Sequence, residues 1–141
     1  MTSLLLGSKV YHYTSEDGYE GMQRSGMIRP STNTTMDAMM GVGVYLTHLP
    51  PTESSAKIIS NNWDAGLEIS RNYVNQFLDK VDVCLEFNSR DLPGLKKMRG
   101  GGRDVVMYPG AIDLNKVPHK VYLREEDDDE QQEQGGSCVI V

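Results

Sequence analysis

The sequence predicts an α+β fold built on antiparallel sheets. Short β-rich segments dominate, above all residues 81–87, VDVCLEF, where apolar and polar side chains alternate. Two or three short helical patterns lie among them, with no repeating βαβ unit. Neither GxGxxG nor GxxxxGK[ST] occurs, so a doubly wound nucleotide-binding sheet is not expected.

The elements follow in order. Residues 1–8 are a loose lead-in, and residues 9–14, KVYHYT, read as a strand with a histidine inside it. Ser15 offers an N-cap, with Glu16 and Asp17 in the first turn of a helix. Tyr19, Met22 and Gln23 share one face of that helix; Gly26 stops it and Pro30 prevents a restart. Residues 31–43 have loop composition. Residues 42–47, VGVYLT, form a strand entered through Gly41 and Gly43 and ended by Pro50-Pro51. Residues 52–61 suit a short helix with Ala56 and Ile59 inward, and residues 68–78 carry a second helical stripe at Ile69, Tyr73 and Leu78. In 81–87, Val81, Val83, Leu85 and Phe87 take one face, and Asp82, Cys84 and Glu86 the other. Residues 92–102 are a Pro/Gly/Lys loop, and 104–108 and 117–124 supply the last strands.

The chain has 141 residues and a formal net charge of −6. Residues 1–124 make one domain, and the excess charge sits beyond it. Acids fill positions 125–130 and recur at Glu133, with no core-forming residue through 137. That linker is expected to be disordered. The balanced body gives no electrostatic footprint for duplex nucleic acid. No apolar run approaches the ~18 residues of a membrane helix, and two cysteines, Cys84 and Cys138, make neither a disulfide scaffold nor a zinc site. A cytoplasmic protein is the expectation. Residues 138–141, Cys-Val-Ile-Val, fit the C-a-a-X pattern, which predicts a prenyl group on Cys138 and a peripheral membrane tether. Acids stand where a polybasic second signal is usual, and one lipid chain alone anchors marginally.

Three stretches, "VYHYTSEDGYEGMQRSGMIRPS", "GVGVYLTHLPP" and "DVVMYPGAIDLNKVPHKVYL", occur in that order. Together they resemble the ADP-ribosyltransferases, in particular the compact class with a His-Tyr-Asp signature, related to the diphtheria-toxin and poly(ADP-ribose) polymerase branch. The resemblance implies a split antiparallel β-sandwich with short helices and NAD⁺ in a cleft between two small sheets. It implies a mono-ADP-ribosyltransferase that cleaves the nicotinamide–ribose bond and passes ADP-ribose to an acceptor, expected to be protein. Close alternatives are an NAD⁺ glycohydrolase, and a non-catalytic module that binds NAD⁺ or ADP-ribose.

Residue by residue, the resemblance gives His12 to the adenosine ribose and the backbone at Tyr13 to the nicotinamide amide. Tyr45 stacks on the nicotinamide ring. Asp104 accepts from the nicotinamide ribose and stabilises its developing positive charge. The chemistry needs orientation and negative charge more than a strong nucleophile, because bond cleavage leaves an oxocarbenium-like centre. Thr14 supports His12 or the ribose, and Gly43 allows close backbone approach or simply permits a turn. For the pyrophosphate, Arg29 and the basic loop of Lys96, Lys97, Arg99 and Arg103 are both candidates. His48 and His119 read as ordinary histidines, at a strand end and in a turn.

Overall fold

The computed structural model describes residues 7–30, 42–63, 77–97, 104–124 and 138–140, the last three as backbone only. In chain order the elements are β1 (Lys9–Thr14), α1 (Glu16–Ser25), β2 (Met27–Ile28), β3 (Val44–Leu46) and α2 (Ser55–Trp63). A short 3-10 helix, Leu78–Val81, leads into β4 (Val83–Asn88) and a second one, Ser89–Asp91, leaves it. Then come β5 (Lys96–Lys97), β6 (Val106–Tyr108), β7 (Ile112–Asp113), β8 (Lys120–Arg124) and β9 (Cys138–Ile140).

All strand pairs among the described residues are antiparallel. The larger sheet has the order β1-β4-β8-β9, the smaller β3-β6-β5, and β2 pairs with β7. Among the described residues, a single bridge joins the two main sheets: Tyr11 and Thr47 exchange both backbone hydrogen bonds, at 2.7 and 2.9 Å. This is the predicted α+β class with sheets that split apart.

Side-chain alternation along β1 and β4 builds two cores rather than one. Val10, Val83, Leu85 and Phe87 face the small sheets, where they meet Val44, Leu46, Ile28 and Ile112. Tyr11, Tyr13 and Cys84 face the other way and pack under Ile58 and Ile59 of α2. The strand expected at 81–87 forms as Val83–Asn88 and is covered on both faces. Cys84 lies opposite Val83, Leu85 and Phe87 as expected and is fully buried, whereas Val81 lies in the 3-10 turn and packs with the second core rather than with those three. The apolar–polar alternation marked the two faces but not what covers the second.

α1 forms where expected. The Ser15 side chain accepts from the Gly18 N–H at 3.0 Å, and Gly26 closes the helix at φ 75° with its N–H on the Met22 carbonyl at 2.7 Å. Tyr19 and Met22 pack on the first core. α2 begins later than the composition predicts, at Ser55, and the helix expected over 68–78 falls mostly outside the described residues. Its end, Leu78, belongs instead to the 3-10 turn. The loop expected at 92–102 contains β5, and the strand expected from Asp104 begins at Val106. Strands of two residues are too short to leave a periodic signal.

Arg124, at the edge of the acidic stretch in sequence, is a buried anchor. Its guanidinium donates to the carbonyls of Pro51, Glu53 and Val81 and to the Ser55 hydroxyl, at 2.7 to 3.1 Å. It ties the end of β8 to the turn ahead of α2. The linker expected at 125–137 lies outside the described residues. Cys138–Ile140 pair with β8, Arg124 facing Cys138 and Tyr122 facing Ile140.

Candidate active site

β1 runs past the core so that His12, opposite Leu85 of β4, stands half-buried at the end of the apolar layer. Its Nδ1 lies 2.9 Å from the carbonyl oxygen of Tyr45. A carbonyl only accepts, so the ring proton sits on Nδ1. Nε2 is then the remaining acceptor of a neutral imidazole. Burial pushes the His12 pKa below its ordinary value of 6.5, partly countered by the bond to Tyr45. His12 is therefore a neutral hydrogen-bond acceptor at neutral pH.

His12 lines an open cleft of about 610 Å³ between β1, α1 and β2. Gly18 and Gly21 of α1 lie three residues apart on the helical face that meets this space. An added Cβ at Gly21 meets nothing nearer than the Arg24 guanidinium at 4.0 Å, so its lack of a side chain leaves open volume. At Gly18 a side chain would strike the Thr14 hydroxyl. Arg24 and Arg29 border the cleft, both exposed, and no described lining residue is acidic. The arrangement offers two cations and a neutral acceptor to an anionic, hydroxyl-bearing ligand.

The other expected site residues are spread around this cleft. Tyr13 turns its ring into the second core and donates to the Leu49 carbonyl at 2.7 Å. Its backbone is another matter. Tyr11 spends its N–H and C=O on Thr47, so ladder alternation directs the Tyr13 N–H and C=O to that same edge, away from β4. Tyr45 reaches His12 through its carbonyl, while its half-buried ring stands opposite Met107, on the face away from Val44 and Leu46. The space above Gly43 is filled by Met107 and the Tyr108 carbonyl, which no Cβ would tolerate. Gly43 thus answers to packing of β3 on β6.

Asp104 lies at the far end of the small sheet, outside the cleft lining. Asn61, in the last turn of α2, clamps its backbone. The Asp104 N–H donates to Asn61 Oδ1 at 2.7 Å, and Asn61 Nδ2 donates to the Asp104 carbonyl at 2.8 Å. Its carboxylate Oδ1 accepts from the His48 backbone N–H at 3.2 Å and from His48 Nδ1 at 2.8 Å. Sequence reasoning missed three contributors here: Arg24, His48 and Asn61. Arg24 could have been found from its place one turn beyond Gly21. The partners of Asp104 are 43 and 56 residues away in sequence, and no local signal links them. His119 is structural: its ring packs on Phe87 at 5.8 Å between centroids, and its Nδ1 donates to the Val117 carbonyl.

Against known families, residues 10–116 match the one described as HYD1 signature containing ADP-ribosyltransferase. No curated protein and no solved structure matches the chain. The matched span runs from Val10 of the His12 strand to beyond β7, and so contains His12, Tyr45 and Asp104. The chain belongs to this HYD1-signature family of ADP-ribosyltransferases.

Proposed function

We propose that the chain binds NAD⁺ through His12 and is a mono-ADP-ribosyltransferase acting on an acceptor expected to be protein. The observation that carries this reading is the Nδ1 bond of His12 to the Tyr45 carbonyl, within a cleft bordered by Arg24 and Arg29. The bond leaves Nε2 as acceptor for a ribose hydroxyl, and the arginines suit a pyrophosphate. The Tyr13 backbone edge has the donor–acceptor pair that a carboxamide needs. Tyr45 supplies a π-face for a cationic nicotinamide, a contact of about 0.5–2 kcal/mol. The Asp104 carboxylate, held in place by Asn61 and His48, stabilises the positive charge that develops at ribose C1′. Thr14 packs on the first turn of α1 and steadies the strand end beside His12.

Calorimetric titration with NAD⁺ and with ADP-ribose tests the binding half. His12→Ala and an Arg24→Ala/Arg29→Ala pair should each weaken binding at least tenfold while the melting temperature shows the fold intact. Equal affinity in wild type and His12→Ala would remove the assignment. Turnover separates the variants of this reading: labelled protein for a transferase, free ADP-ribose for a glycohydrolase, and ligand protection without turnover for a binding module.

A further inference from the structure

The His48–Asp104 pair has the geometry of a positioned base. Asp104 Oδ1 accepts a hydrogen bond from His48 Nδ1 at 2.8 Å and another from the His48 backbone N–H at 3.2 Å, which fixes the imidazole from two sides. The carboxylate is itself fixed, because Asn61 holds both backbone groups of Asp104 and also donates to Thr47 Oγ1 at 3.1 Å. With Nδ1 committed as donor, Nε2 of His48 is the acceptor. Both side chains are partly open to solvent, 39% and 35% exposed. His48 follows Tyr45 by three residues, in the bend just beyond β3, and sits beside the carboxylate assigned to the reacting ribose.

We propose that His48 is the general base of the transfer step, and that the acceptor is therefore a hydroxyl rather than a carboxylate. The inference rests on the NAD⁺ reading above. Nicotinamide leaves with the electron pair of its bond to ribose C1′. The acceptor oxygen forms the new bond to C1′, and its proton passes to His48 Nε2. Asp104 stabilises the imidazolium so formed, which later returns its proton to solvent. Products are neutral nicotinamide and an O-linked ADP-ribose, so atoms and charge balance. A carboxylate acceptor carries no proton to remove and would gain nothing from this base; a hydroxyl does.

Water and methanol serve as the hydroxyl probes, read by nicotinamide release and by the yields of ADP-ribose and its 1-O-methyl product. His48→Asn keeps a donor near the Nδ1 position but has no base. It should lower both yields by about 10²-fold or more while the Kd for NAD⁺ moves less than twofold. In His48→Ala, added imidazole should recover at least tenfold of the loss. Full rates in both variants, or a loss that imidazole does not recover, would overturn the assignment of His48. A protein acceptor should carry its label through neutral hydroxylamine; labile label means a carboxylate ester and overturns the hydroxyl class. Wild type that neither binds nor cleaves NAD⁺ removes the function reading first, and this inference with it.

Discussion

At His12, burial and the Tyr45 carbonyl pull the protonation equilibrium in opposite directions, and burial dominates. The sign follows from linkage. An unfolded chain's histidine takes up its proton near 6.5, while folded His12 resists protonation to lower pH. Below that value the unfolded state binds more protons, so stability falls as the pH drops, and above it this residue makes no pH-dependent contribution. Urea midpoints taken from pH 7.5 down to 5 should decline, and His12→Gln should flatten part of that decline. A wild-type midpoint that stays constant below pH 6.5 would contradict the buried neutral ring. The family was legible in the sequence because His12, Tyr45 and Asp104 each stand in a short recognisable stretch within the matched span; their roles rest on the proposal above. Asp104 was legible as an acid but not as one member of a pair, since His48 joins it only through the pairing of β3 with β6.

The helix α1 carries a cost that its own packing does not explain. A glycine inside a helix is about 1 kcal/mol worse than alanine, and Gly21 has open space around its Cα. Gly21→Ala should therefore raise stability by up to about 1 kcal/mol. Gly21→Phe should keep the fold, fill the cleft and abolish NAD⁺ binding; thermal melts with and without NAD⁺ read both effects. Binding that survives Gly21→Phe would place the ligand elsewhere. At the end of β8, Arg124 gives the opposite case, a charge retained for structure. Arg124→Ala leaves the Pro51, Glu53 and Val81 carbonyls without this donor and should cost about 3 kcal/mol or more. Lysine cannot reproduce the fork, so Arg124→Lys should recover only part of the loss. The helix caps were readable from local chemistry, Ser15 and Gly26 alike. Arg124 was not, because charge runs in sequence and burial in space are different properties.

For the whole molecule, the pattern of short strands and the absence of βαβ repeats were enough for the α+β class. What remained hidden was set by long-range pairing: two cores instead of one, the Tyr11–Thr47 bridge that joins the sheets, and β9 on the edge of β8. Prenylation of Cys138 stays a proposal, and the pairing of Cys138–Ile140 with β8 adds a condition to it. The three residues must leave that edge to enter a prenyltransferase. Fractionation of cells expressing wild type and Cys138→Ser should place more wild type with membranes, and equal soluble fractions would end the idea. The central claim concerns NAD⁺ and is tested most directly by nicotinamide release from labelled NAD⁺ with purified full-length chain, beside His12→Ala and Asp104→Ala. The account predicts release by wild type that falls at least 100-fold in both variants, with NAD⁺ binding lost only in His12→Ala. Release unchanged in either variant, or none from wild type under conditions where NAD⁺ binds, would contradict it.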